Sequence, residues 1–85
     1  MENITRDLTT EELVDAGYGR SKAKTLDALR ERAYRFGGRV RVQRWEGDYL
    51  YIVEARTPEE APLVEPTLED AEQRVVELEE RYRER

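Results

Sequence analysis

Cysteine is absent from the chain. That removes disulfides, thiolate catalysis and thiolate metal ligation. Histidine is absent too, so the usual general base and the commonest transition-metal ligand are missing. Ser21 is the sole serine. No apolar run approaches the ~20 residues of a membrane span, and the N-terminal MENITRDL has no apolar signal core. No Gly-rich loop has the spacing that cradles phosphate, since Gly17-Tyr18-Gly19 and Gly37-Gly38 both lack a preceding strand and a following helix in the right register. These absences lead us to expect a non-catalytic protein with no cofactor, no metal and no membrane contact, working in the cytoplasm.

What is present is charge, sorted along the sequence. Residues 18–45 carry nine basic side chains against Asp27 and Glu31, while the segments on either side are acidic, and the whole chain comes to −5. Such a basic island meets a partner or is covered by the protein's own acidic part. Arginine outnumbers lysine thirteen to two, which suits planar, bidentate contacts but also follows from GC-rich coding. Eighty-five residues make one domain, residues 1–85, large enough to bury roughly 60–65 % of its unfolded surface.

Local patterns give an element order of short α, α, β-hairpin, α. Thr9-Thr10-Glu11-Glu12 is a capping box that opens a short helix over 9–17. Ser21 is placed to cap a second helix over 21–36, with Leu26, Leu29, Ala33 and Phe36 on one apolar stripe and Lys24, Ala28, Arg32 and Arg35 on the opposite face. Residues 39–45 alternate polar and apolar, and 49–55 are β-branched and aromatic, so 39–55 reads as a hairpin. A turn at Gly47-Asp48 pairs Arg44 with Tyr51, Val42 with Val53 and Arg41 with Glu54, leaving one apolar face. Thr57-Pro58-Glu59-Glu60 reads as a capped single turn within a connector over 57–66, and Thr67 caps a final helix over 68–84. The expected class is α+β, with the two longer helices on one face of a two-stranded sheet.

Several constellations are candidates for function. The basic helix and hairpin offer Arg32, Arg35, Arg39, Arg41, Arg44 and Trp45 as a partner-binding face for another protein; internal pairing of Glu31 with Arg35 and Glu54 with Arg41 is the plain alternative. Aromatics among the arginines suit a protein hot spot or base stacking, with Trp45 as the interface residue and Tyr51 and Phe36 as core. Leu68, Ala71, Val75, Leu78 and Tyr82 follow a 3-4 spacing. That seam serves either a two-helix coiled coil, and so a homodimer, or one helix packing on its own hairpin. Asp70/Arg74, Glu77/Arg81 and Glu79/Arg83 are spaced as i,i+4 ion pairs. The carboxylate clusters Glu59-Glu60, Glu69-Asp70-Glu72 and Glu77-Glu79-Glu80 suit helix starts and a solvated face, or an acidic surface imitating nucleic acid.

Residues 8–55 follow the order helix, tight turn, basic helix, hairpin, and in this they resemble a winged helix-turn-helix. The resemblance implies DNA binding, with Lys22 and Lys24 near base edges and Arg20, Arg39, Arg41 and Arg44 on phosphates. The chain departs from that pattern in its two-turn first helix, in Ala16 before the turn glycine, and in its acidic net charge.

Overall fold

The computed structural model describes residues 7–57 and 60–83. Helix α1 spans Thr10–Asp15 and begins with the expected capping box: the Thr9 hydroxyl accepts from Glu12 N (3.1 Å) and Glu12 Oε1 accepts from Thr9 N (2.9 Å). It ends after Asp15, where Gly17 N and Tyr18 N donate to the carbonyls of Val14 and Leu13. Helix α2 spans Arg20–Arg35 and starts one residue earlier than expected. Gly19, not Ser21, is its N-cap, and no side chain caps it. Its far end is closed by Gly37 N and Gly38 N, which donate to Tyr34 O and Ala33 O.

Strands β1 (Arg39–Trp45) and β2 (Asp48–Glu54) form the hairpin, but its register differs from the expected one by two residues. The turn is Glu46-Gly47, with φ of 51° and 80°. Positive φ at both central residues defines the type I′ turn whose twist matches the flanking strands. Glycine takes the second position freely, and Glu46 accepts a conformation unusual for a side-chain-bearing residue. Val40 therefore faces Val53, Val42 faces Tyr51, and Arg41 faces Ile52. A two-residue shift keeps every side chain on its expected face, so the apolar face survives. The Arg41–Glu54 ion pair also survives, as a diagonal contact with Nε 3.1 Å from Oε2, although that Nε–H is not aligned to donate a hydrogen bond.

A third strand replaces part of the expected connector. Strand β3 (Leu63–Glu65) pairs antiparallel with β2, giving the order β1-β2-β3. The single turn expected at Thr57–Glu60 includes residues 58 and 59, which lie outside the described residues. Helix α3 (Leu68–Arg83) follows, with Thr67 Oγ1 accepting from Asp70 N at 3.1 Å.

Helices α2 and α3 lie side by side and parallel on one face of the sheet. Phe36 meets Tyr82 at their C-terminal ends with ring centroids 5.3 Å apart, while Lys22 and Thr25 line a hollow with Leu68 and Glu72 at the other. The core between layers comprises Leu26, Leu29 and Ala33 from α2, Val40, Val42, Tyr51 and Val53 from the sheet, and Ala71, Val75 and Leu78 from α3. Leu13 and Tyr18 close it from the α1 side. Each fully buried leucine contributes roughly 1.5–3 kcal/mol.

The β1 margin of the sheet is occupied and the β3 margin is poor in donors. On β1, Val42 donates to Asp7 Oδ1 (2.9 Å) and accepts from Leu8 N (3.0 Å), while Val40 O accepts from Arg30 Nε (3.2 Å). These bonds place the even-numbered β1 residues toward the margin, so even-numbered β2 residues bond β1 and odd-numbered ones bond β3. Val64, opposite Ile52, thus turns its N–H and C=O outward. The positions that alternate with it are Pro62 and Pro66. Neither has an N–H to offer, so the β3 margin presents a single donor.

Candidate interaction surfaces

The basic island does not form one face. Arg32 is held between the helices: Nε and Nη2 donate to Glu79 Oε2 and Oε1 at 3.0 and 2.7 Å, and Nη1 lies 3.9 Å from Glu72. This forked pair raises the Arg32 pKa and lowers that of Glu79, the mutual hydrogen bonds being the main cause in each. Arg41 is neutralised by Glu54, and Arg39 reaches toward Asp7 at 4.0 Å. Arg44 faces the helical side at the hairpin's end, 5.7 Å from the Tyr49 ring centroid. Arg35 is exposed on the outer ridge of α2. The six expected partner-binding residues are thus divided among the open face of the sheet (Arg41, Trp45, with Arg39 at its corner), the α2–α3 groove (Arg32), the outer helical ridge (Arg35) and the hairpin end (Arg44). Clustering in sequence becomes dispersal in space because strand alternation and helical rotation point neighbouring residues in different directions.

The packing decides three other readings. The 68–82 seam is internal: Ala71, Val75 and Leu78 are buried against the protein's own sheet, and Leu68 and Tyr82 pack at its ends. A seam consumed by its own hairpin offers nothing for a coiled-coil partner. In place of the i,i+4 pairs of α3, Arg74 binds Glu65 on β3 (2.7 Å) and Glu77 three residues on (3.0 Å), and Arg81 binds Glu60. Glu31 and Arg35 form no ion pair among the described residues.

The candidate nucleic-acid residues Arg20, Lys22 and Lys24 are exposed, and none has a carboxylate partner among the described residues. Helix α1 packs on α2, where Thr10 Oγ1 donates to Asp27 Oδ1. Lys22 sits 4.6 Å from the Tyr18 ring centroid, Tyr18 meets Tyr49 edge-on at 5.2 Å, and Arg44 covers Tyr49. A cation–ring–ring–cation ladder therefore joins the start of α2 to the hairpin. The outer helical layer carries both signs, however. Arg20, Lys24, Ala28, Glu31 and Arg35 form the ridge of α2, and Glu69, Gln73, Glu77 and Glu80 form that of α3. Parallel helices pack about 8–10 Å apart, so an acidic ridge lies roughly one Debye length from the basic one.

Among the described residues no helix lies on the opposite side of the sheet. From β1 it presents Arg41, Gln43 and Trp45; from β2, Asp48, Leu50, Ile52 and Glu54; from β3, Val64. Trp45 is 55 % and Val64 56 % exposed, whereas Ile52, the central residue of the face, is 7 % exposed. The chain matches no protein-family model, no curated protein and no solved structure. What it does must therefore be argued from these surfaces.

The remaining concavities are shallow. One, of about 580 Å³, opens between Arg30, Tyr34, Arg39 and the Gly37-Gly38 backbone. Arg30 is committed there to Val40 O, Asp7 Oδ1 and Leu8 O. Among the described residues no set of three or more acidic side chains is arranged to hold a metal ion, and no helix is long and apolar enough to cross a membrane. Sequence reasoning singled out Trp45 but missed Ile52 and Val64 as its companions. Their signal was weak, because Val64 belongs to a strand of three residues between prolines.

Proposed function

We propose that this protein is a non-catalytic binding module that takes a protein partner on the open face of its sheet, with Trp45 as the anchor. The observation that carries this reading is the pair of half-exposed apolar side chains, Trp45 and Val64, on either side of Leu50 and Ile52. Aromatic anchors beside arginine are the residues that dominate protein interfaces. The occupied β1 margin and the donor-poor β3 margin favour docking on the face over strand addition.

The test is affinity capture from a lysate of the source cells with the wild-type chain, Trp45→Ala, Val64→Glu and Arg35→Glu. Partners should disappear with the first two variants and persist with the third. Partners that survive both sheet variants and vanish with Arg35→Glu would move the site to the helical layer.

A second reading, duplex DNA binding through α2, is favoured by the packing of α1 on α2 and by Arg20, Lys22 and Lys24, which have no carboxylate partner among the described residues. The acidic ridge of α3 opposes it. Fluorescence anisotropy with random-sequence duplex at two salt concentrations separates the readings: steeply salt-dependent binding lost on Lys22→Glu with Lys24→Glu would establish the DNA reading.

A further inference from the structure

We infer that the hollow at the C-terminal ends of α2 and α3 binds a diphosphate anion. The site is separate from the open face of the sheet and goes beyond the reading of that face. Its floor is aromatic, with Phe36 tilted against Tyr82, and its volume of about 390 Å³ is within the range of small-molecule sites. Its rim carries Arg32, Arg35, Arg56 and Arg83, with Glu79 as the one carboxylate of the lining. Four guanidinium groups against one carboxylate leave a surplus of three positive charges. These arginines come from separate places in the chain: two from α2, one from the segment after β2 and one from the last turn of α3. Their convergence registers on Glu79, whose carboxyl is held down first by the hydrogen bonds from Arg32 and then by the charges of Arg32, Arg83 and Arg35.

Within the rim, Glu79 hydrogen-bonds Arg32 alone. Arg35, Arg56 and Arg83 are exposed and have no carboxylate partner among the described residues. Bases in the last turn of a helix answer its dipole, which accounts for Arg35 and Arg83. Arg56 belongs to neither helix. Its stem passes Gly37, where a Cβ would stand 3.3 Å from the Arg56 Cβ, and its guanidinium lies 4.4 Å from the Tyr82 ring centroid. Stacked on the ring, the guanidinium keeps its N–H edges available to a ligand. Glu60, at the tip of Tyr82, is already bound by Arg81 and by the Tyr82 hydroxyl. The last carbonyls of α2, Ala33 O and Tyr34 O, accept from the amides of Phe36, Gly37 and Gly38, so they do not confront an anion. Phosphoryl oxygens accept bidentately from guanidinium forks, and a diphosphate offers two phosphoryl groups to three of them. A small anion is favoured over an extended one. The chain carries −5 overall, and Glu77 and Glu80 stand on the adjoining ridge of α3, in the path of a longer run of phosphates.

Isothermal titration of the full chain with inorganic pyrophosphate, at about 150 mM salt and up to about 5 mM ligand, tests this. The wild type should bind one equivalent. Arg35→Glu and Arg56→Ala should each weaken binding at least about tenfold. Glu79→Gln should strengthen it at least about threefold, because it removes the competing carboxylate and frees Arg32. Lys24→Glu makes the same change of charge as Arg35→Glu but about 16 Å away along α2, beyond the Debye length, and should leave the affinity within about twofold of the wild type. Thermal melts by circular dichroism confirm that the variants are folded. Adenosine diphosphate, titrated in parallel, identifies the source of the phosphates. Equal affinity makes the ligand a free diphosphate, and affinity at least about tenfold higher makes it a nucleotide whose base meets the aromatic floor; both uphold the site. A wild type that binds neither ligand overturns the inference. So do equal losses from Lys24→Glu and Arg35→Glu, which would show a response to net charge, and so does a Glu79→Gln variant that binds no more tightly than the wild type. Trp45→Ala should not alter the titration, so this site and the docking face stand or fall separately.

Discussion

The hydroxyl oxygens of Tyr18 and Tyr51 lie 2.7 Å apart inside the protein and join the α1–α2 linker to the central strand. Each hydroxyl satisfies the other away from water. Removing one should cost about 1–2 kcal/mol, because its partner is left buried without a bond. Removing both leaves no such orphan. Tyr51→Phe combined with Tyr18→Phe should therefore destabilise by clearly less than the sum of the single variants. Urea denaturation of all four proteins checks this; additive losses would mean that the two hydroxyls act independently.

The same pair sets the alkaline limit of stability. Burial pushes both phenols above the ordinary tyrosine range, and in Tyr51 the bond to Tyr18 pushes the same way. Above pH ~10 the unfolded chain releases these protons while the folded chain retains them, so the folded state binds more protons. Stability is then complete below pH ~10 and declines as pH rises through the window up to the folded values. Melts between pH 8 and 12 should show that decline, and Tyr18→Phe with Tyr51→Phe should flatten it.

At the acid end the sensitive contact is Arg32 with Glu79. Its hydrogen bonds hold the Glu79 carboxyl below the ordinary range. A carboxyl depressed in the folded state contributes stability that is present above the unfolded value and fades as pH falls through the folded one. Glu79→Gln should cost about 1 kcal/mol near neutrality, the modest worth of a partly exposed forked pair. Chemical denaturation at pH 7 and at pH 3 should show this difference shrinking on acidification; a constant difference would assign the loss to packing instead.

Asp7 holds the β1 margin through its bond to the Val42 amide and through Arg30. Asp7→Ala should release that margin. Hydrogen exchange at the Val42 amide should accelerate at least about tenfold, while core amides such as that of Val53 keep their protection. Uniform acceleration would show instead that the substitution weakens the whole fold.

Gly38 lies against the backbone of the neighbouring strand. A Cβ there would stand 2.4 Å from Glu54 O and 2.5 Å from the Phe36 ring. The carbonyl cannot swing aside without disturbing β2, so Gly38→Ala should cost at least about 2 kcal/mol. A thermal melt within 2 °C of the wild type, a much smaller effect than that cost implies for a domain of this size, would show that the strands part readily.

The sequence carried its local signals faithfully. The Thr9 capping box, the apolar stripe of α2 and the hairpin segment all stand where their residues place them. The hairpin register did not, because a slip of two residues leaves every side chain on the same face, and nothing in the composition of Glu46-Gly47 announces positive φ at a glutamate. Strand β3 has three residues and exists by pairing with β2, which is tertiary information. The seam of α3 has one geometry whether it meets a copy or its own sheet, and only the packed core distinguishes them. The basic island misled most. Its arginines are neighbours in the chain, yet Arg32 closes a helix groove, Arg41 pairs across a strand, and Arg44 lies over Tyr49.

Pro62 and Pro66 on one side, and Asp7 with Arg30 on the other, have a consequence for how far the sheet can grow. Lateral growth of a sheet is open-ended, since each added strand exposes another. Here an incoming strand would find the Val42 amide and carbonyl already bonded on β1, and on β3 the single amide of Val64 between two prolines. Pairing therefore stops being rewarded at three strands.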